Sequence, residues 1–441
     1  MIVWDGFFCA GIRAHFSLSE NCQFVASMWE WNYNECMSKS FHFVSSLTLL
    51  FCVLFFLAGG CSRAGGSVAD AISAATLRKG PSARALLETI MPDAMADGVV
   101  KIAVLLNIRS GDISRQFIEG CVWEGRSMGF IVDAFVTGGD EARCRELAAG
   151  IAETDYDGLI FAFGEVDFSY DILKPVAEKG IKIVTFEAMP YRNARAIPGL
   201  IATFQDDYRL ARLSLETLLS YGMAGRPSRV IHIGSDTGMP FLDRRAWEFG
   251  QFFNRGKIEQ TALFRLASLE NPQGMAWEML SAALPHFPLG SVDAVWAPWD
   301  EFAIGSAEAI AAADRQDIKL FSVGISNDAI RQMLRHRDIW IATTAIDPKL
   351  AGTVNMRILA ASLASEPLGD TFFFKPQLVR TADLNYAVTL ANIATLVPDW
   401  GDAQGLFDHY QWMNDLKAAE GRYLQVAPLL MPMPVAHLAA P

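Results

Sequence analysis

Residues 157–187 read DGLIFAFGEVDFSYDILKPVAEKGIKIVTFE. Two short apolar runs, GLIFAF (158–163) and IKIVTFE (181–187), enclose a stretch of helical pattern. Runs so continuously apolar are expected of strands covered on both faces. Strand, helix and strand in succession argue a parallel sheet. The same unit repeats outward in both directions. VKIAVLLN (100–107) and FIVDAFV (130–136) precede it; LIATF (200–204), RVIHIG (229–234), DAVWAP (293–298), IKLFSVG (318–324) and IWIATT (339–344) follow. Amphipathic stretches such as ISRQFIEGCVWEGRSMG (113–129) and YRLARLSLETLLSYG (208–222) lie between them. Nine such runs exceed one typical sheet. The expected fold class is therefore α/β, with two Rossmann-like lobes built on parallel sheets. Ligands bind such sheets at the carboxyl ends of their strands, so the residues just after each run are the candidates for function.

Composition narrows the function. The chain has 441 residues, enough for two lobes. It is 51% hydrophobic and 20% charged, which excludes a disordered chain. A net charge of −12 argues against nucleic acid as a partner, because binding phosphates needs a basic face. Seven cysteines show no zinc-like spacing, so neither a metal nor a cofactor is expected. No GxGxxG, P-loop, HExxH or GxSxG motif occurs, and the histidines are scattered. His232, inside an apolar run, reads as a satisfied core residue rather than a base. No catalytic set is expected.

The longest apolar run is FVSSLTLLFCVLFFLA (43–58), followed by Gly59, Gly60 and Cys61. It falls short of the roughly 20 residues that cross a bilayer and fits a signal-peptide core. Lys39 gives it a basic start, and Met37 is a candidate initiator. The ending LAGGC (57–61) resembles a bacterial lipobox, which implies lipidation of Cys61 and attachment to a membrane surface through lipid. A plain membrane anchor is the competing reading. Loss of residues 1–60 removes four acids and two bases and leaves a charge of −10. Of the cysteines, Cys61, Cys121 and Cys144 then remain. A disulfide between the last two is possible outside the cytosol, but both read as helical, which argues against it. Residues 61–98, rich in Ala, Gly and Ser, read as a tether with one helix around 83–90.

Several segments in order resemble the type I periplasmic binding proteins of the ribose and galactose sort, which feed ABC sugar importers. DGLIFAF, Asp167 and VAEKGIKIVTFE (176–187) are similar to that family's DGIII…D…AxxxGIPVVTFD. Asp206-Asp207-Tyr208 with Arg212 is similar to D-N-Y-x-x-G-R. Trp299-Asp300-Glu301 with Gly305 is similar to N-D-x-x-A-x-G, and ATTAIDP (342–348) to ATVAQDP. No single motif is specific; their order over 99–384 is. The resemblance implies two lobes joined by a three-stranded hinge, with a ligand clamped between them. It places the first lobe at 99–202 plus 348–370, the second at 203–345 plus 371–383, and a C-terminal extension at 384–441. In that extension Asp399-Trp400-Gly401 reads as a turn and 406–424 as a surface helix.

The resemblance also orders the cleft candidates. Asp112 and Ser114, after the first run, either bind ligand or cap the following helix. Asp167 matches the family's ligand aspartate, with a cap or turn residue as the other reading; a carboxylate suits polyols by accepting from two hydroxyls. Glu187 ends a run where the family often has Asp, and Asp206 falls at the first hinge crossing. Arg245 matches the family's cleft arginine, with Arg244 as competitor. Trp299 stands where sugar binders have Asn; it stacks on a ring face or packs in the core. Asp300 caps the next helix and is a candidate for ligand contact. Ser326 replaces a sugar-binding Asp, Ile346 a polar residue and Phe241 another Asp. The second wall is thus more apolar than a ribose or glucose site. A deoxy sugar, a furanone-like signal or an aromatic glycoside fits as well as a simple hexose.

These readings make the chain an extracytoplasmic, lipid-anchored solute-binding protein of the periplasm or cell envelope. Its partners are a small sugar-like ligand and an ABC permease. A sensor presenting its closed form to a chemoreceptor or kinase is the alternative. A cytoplasmic repressor would need a helix-turn-helix where the lipobox stands, and an envelope hydrolase using Asp167 and Glu187 lacks motif support.

Overall fold

A computed structural model describes residues 90–95, 99–164, 166–188, 197–402 and 405–424. The apolar run, Cys61 and most of the tether lie outside them.

The first sheet begins with β1 (Lys101–Leu106), followed by α1 (Asp112–Ser127), β2 (Ile131–Val136), α2 (Glu141–Ala152), β3 (Gly158–Gly164), α3 (Val166–Glu178), β4 (Lys182–Ala188) and β5 (Ile201–Gln205). The chain then crosses to a second unit of the same kind. This comprises α4 (Asp207–Ser220), β6 (Ser228–Ser235), α5 (Pro240–Asn254), β7 (Ile258–Leu266), α6 (Pro272–Ala283), β8 (Ala294–Ala297), α7 (Asp300–Ala312), β9 (Lys319–Val323), α8 (Asn327–Arg335) and β10 (Trp340–Ala345). It returns through α9 (Pro348–Leu363) and β11 (Thr371–Phe374), and crosses once more to β12 (Gln377–Arg380). The C-terminal extension ends in α10 (Gln411–Leu424).

Among the described residues this makes two six-stranded sheets, ordered β11-β5-β4-β3-β1-β2 and β12-β10-β9-β8-β6-β7. All pairings are parallel except β12 on β10. The interior strands β1 and β8 are buried at almost every position, as their continuous apolar runs require. The α/β, two-sheet reading of the sequence therefore holds. Two details differ. The strand expected near 371–380 is two strands parted at Lys375–Pro376: β11 pairs with β5 in the first sheet, and only β12 belongs to the second. Proline has no amide proton to continue a ladder, so the chain breaks there and changes sheets. The edge strand β7 was not read at all, because its sequence IEQTALFRL is mostly half-exposed and carries no sustained apolar run.

Each sheet is covered on both faces. In the first lobe α1 and α9 pack on one side, and α2 and α3 on the other. In the second, α6, α7 and α8 lie on one side, and α4 and α5 on the other. Each fully buried Leu, Ile or Phe contributes about 1.5–3 kcal/mol, so either lobe has an ample core. Cys121 and Cys144 are both buried and free, on α1 and α2 in separate core clusters. His232 is a core residue stacked on Phe249 and tilted against Trp296, but not a fully satisfied one: its Nε2 has no partner. Burial pushes its pKa down to about 3, so it stays neutral.

Candidate functional site

The three crossings, at Asp206, Ile346–Asp347 and Lys375–Pro376, leave from the carboxyl ends of β5, β10 and β11. They bring the carboxyl ends of both sheets to one cleft. A direct contact closes it. The Asp112 carboxylate, at the start of α1, accepts the backbone N–H of Asn327, at the start of α8, at 3.0 Å. Partial burial opposes the charge on Asp112, but the Asn327 N–H and Arg115 outweigh it and hold its pKa below the usual carboxylate value. An anion at a helix N-terminus gains from the exposed amides there. Asp112 thus bridges the lobes.

Two neighbouring strands end in strained backbone. Phe163 at the end of β3 has φ 64° and Glu187 at the end of β4 has φ 51°. Side chains with a Cβ rarely adopt this left-handed region, and such strain persists where the surroundings fix it, often at ligand sites. Phe163 sits edge-on to Phe186 at 5.5 Å, which stacks on Phe117 at 5.0 Å and meets Phe374 at 5.8 Å. These rings belong to the first-lobe core beneath α1 and α9, with the half-buried Phe163 at its edge. On the second wall, Trp299 precedes α7 in extended backbone and makes edge contacts with Phe241 at 6.0 Å and Phe302 at 5.4 Å.

Charge gathers by the first crossing. Asp207 is fully buried and takes both guanidinium groups: Arg245 Nε donates to it at 2.8 Å, and Arg244 through Nε at 2.9 Å and Nη2 at 2.6 Å. Arg245 also donates to the Pro298 carbonyl at 2.6 Å, lies over the Phe241 ring and is 3% exposed. Its donors are engaged within its own lobe. Arg244, with its side chain 33% exposed, is the more accessible of the pair. Glu187 accepts the Gln205 N–H at 2.6 Å. Burial, then the Asp207 charge, push its pKa up to about 8 against the pull of both arginines. At neutral pH it offers one O–H donor and keeps acceptor capacity.

The remaining candidates divide. The Ser114 hydroxyl accepts the Gly111 N–H at 2.8 Å and returns a bond to the Gly111 carbonyl at 3.0 Å, so it caps α1. Ser326 caps α8 through the Ala329 N–H at 3.1 Å and also bonds Asp300. Asp300 is 3% exposed, and burial, then Glu301, raise its pKa to about 7. Asp167 lies in the first turn of α3, with its side chain outside the described residues. Asp206 caps α4 through the Arg209 N–H at 3.0 Å. Sequence reasoning did not single out Phe163 or Asp207. A positive φ leaves no mark in sequence, and Asp207 lay in plain view beside Asp206. Among the described residues no group of three or more His, Cys, Asp or Glu is placed to hold a metal ion.

Two lobes, three crossings and a cleft at the strand ends define a solute-binding protein of the two-lobed kind. The sequence matches the model of the periplasmic binding protein domain over residues 102–367, and the chain belongs to that family. A sugar ABC transporter structure from Yersinia enterocolitica subsp. enterocolitica 8081 is 30% identical, with TM-score 0.63, over 75% of this chain and 98% of that one. A 5-methylthioribose transporter solute binding protein from Thermotoga lettingae TMO, in complex with 5-methylthioribose, shares the fold at 24% identity and TM-score 0.60, over 72% of this chain and 98% of that one. A periplasmic ribose ABC transporter from Conexibacter woesei DSM 14684 does so at 14% and 0.58, over 67% and 95%. No curated protein matches the chain in sequence. The chain is thus a solute-binding protein of the sugar ABC transporter type, extracytoplasmic and not an enzyme. No described helix is long and apolar enough to cross a membrane.

Proposed function

We propose that this chain, anchored by lipid at Cys61, captures a compact sugar-like ligand carrying an apolar face and presents its closed form to the permease of an ABC importer. The observation that carries the reading is the pairing of walls. The half-buried Phe163 stands near the end of the first sheet, the half-buried Trp299 and Phe241 flank the second, and the neutral Glu187 carboxyl lies beside Arg244 at the crossing. Aromatic faces favour the C–H face of a sugar or an alkyl or aryl substituent. The few polar groups then fix orientation. A hexose with every hydroxyl free would leave some unpaired against the apolar second wall, at a cost in affinity for each.

The test is native mass spectrometry of residues 62–441 purified from periplasm, with thermal-shift screening of pentoses, hexoses, deoxy sugars and S-alkyl and aryl glycosides, 5-methylthioribose included. We expect a substituted or deoxy sugar to bind unchanged in mass, and Phe163→Ala to weaken it about tenfold, or about 1.4 kcal/mol. Preference for an unsubstituted hexose, or indifference to Phe163→Ala, would reject the apolar-face reading. For the anchor, a mature N-terminus at Cys61 bearing diacylglycerol is the expected peptide.

A further inference from the structure

The extension beyond β12 does more than cover surface. Its first half is built into the second lobe: Leu384, Val388, Leu390, Ile393, Val397 and Trp400 are buried in the cluster formed by α6, α7 and α8. Its second half is built into the first lobe. Met413, Leu416 and Ala419 of α10 join the cluster of α1 and α9. There the Trp412 Nε1–H donates to Glu366 at 3.0 Å, Arg357 donates to the Leu406 carbonyl at 2.8 Å, and Lys417 pairs with Glu124. Between the halves the extension runs along the hinge. A Cβ on Gly401, at φ 69°, would stand 2.4 Å from the Asp347 carboxylate at the second crossing. Beside this passage a cavity of about 210 Å³ separates Gln116 and Thr353 of the first lobe from Leu390, Ala394 and Trp400 of the extension.

One residue ties this segment to the cleft. Asn327 gives its backbone N–H to Asp112 of the opposite lobe, and its side-chain Oδ1 accepts the Leu390 N–H at 2.8 Å. The group that closes the cleft is therefore held from behind by the extension. We propose that residues 384–424 form a fourth connection between the lobes, and that Asn327 is its positioning residue, setting the α8 N-terminus against Asp112 and biasing the molecule toward closure before ligand arrives. A closed form populated in advance raises apparent affinity in proportion to its population. It deepens the capture reading above but does not need it, because the bias is a property of the ligand-free chain.

The experiment measures interlobe distance in the full mature chain without ligand, by electron–electron double resonance between labels at Glu141→Cys and Glu278→Cys, both exposed. Three variants act at separate points of the connection: Asn327→Ala at its second-lobe end, Gly401→Val at the hinge passage, and Trp412→Phe at its first-lobe end. Each is expected to move population from the short to the long distance by threefold or more. Melting temperature is recorded in parallel. A purely local packing role would lower it and leave the distances alone. Folded variants whose distance distributions superimpose on the wild type would overturn the proposal. Trp412→Phe loses one hydrogen bond while keeping an aromatic ring, so it guards against simple failure to fold. Loss of ligand binding with unchanged ligand-free distances would count against this inference and leave capture standing.

Discussion

At the scale of single residues, the site is decided by where carboxyl groups end up. Glu187 is the sharpest case. Its folded pKa, about 8, stands above the ordinary value of 4.5, chiefly through burial and then through Asp207. Across that window the folded chain keeps a proton that the unfolded chain has released. Stability is therefore highest below the ordinary value and declines as pH rises toward 8. Glu187→Gln should flatten that decline, which melting temperatures of both proteins from pH 5 to 9 would reveal. A wild-type curve that rises with pH over that range would mean the carboxyl ionises freely. Asp112 runs the other way. Its lowered pKa makes its interlobe contact present at neutral pH and lost only in acid. Asp293, just before β8 and held by Arg226 and Arg229, is likewise depressed and ties β6 to the loop before β8.

At the scale of elements, the cleft depends on how α1 and α9 meet. They touch backbone to backbone. A Cβ on Gly352 would stand 2.0 Å from the Phe117 carbonyl, and one on Gly120 would stand 2.1 Å from the Lys349 carbonyl. This approach sets the direction in which the α1 N-terminus delivers Asp112 to α8. Gly352→Ala should cost about 1–3 kcal/mol by overpacking. Because it tilts α1, it should also weaken ligand binding, although Gly352 touches no ligand. Chemical denaturation and titration of the same sample check both. An affinity unchanged at reduced stability would uncouple the helix pair from the site. Elements were the most legible level of the sequence. The nine apolar runs correspond to nine strands, eight of them interior and apolar on both faces and the ninth, β2, an edge strand whose sequence is nonetheless apolar. Edge strand β7 was missed because half its surface faces water.

At the scale of the whole molecule, two independent cores are joined by three crossings and the extension. A ligand that bridges the lobes couples their unfolding. At a hundredfold excess over its Kd it should add about 2.7 kcal/mol to stability, and scanning calorimetry should show the whole transition moving as one. If only part of the heat absorption shifted, the ligand would be seated in one lobe. The extension read from sequence as a turn and a surface helix. The structure has a turn at 398–401 and a helix, α10, that packs on the first lobe through Met413, Leu416 and Ala419, spaced by three. The sequence leaves unsaid that the first half, with Leu390, Ile393 and Trp400, enters the second-lobe core, because those residues show no period that reveals their partner.

The α/β class, the two-lobe plan and the family are legible in the chain alone, since they follow from local runs and their order along it. The sequence also directs attention to the residues just after each strand, because strand ends can be counted. Their side-chain partners emerge only from the folded chain. Arg245 is turned onto Asp207 and Pro298, Ser114 and Ser326 serve as caps, and Phe163 takes, near the end of β3, a backbone angle that no residue type announces. The serine caps are contacts three residues along the chain, which local sequence can suggest. The partners of Arg245 and the Asp112–Asn327 contact join residues tens to hundreds of positions apart, and no local pattern encodes them.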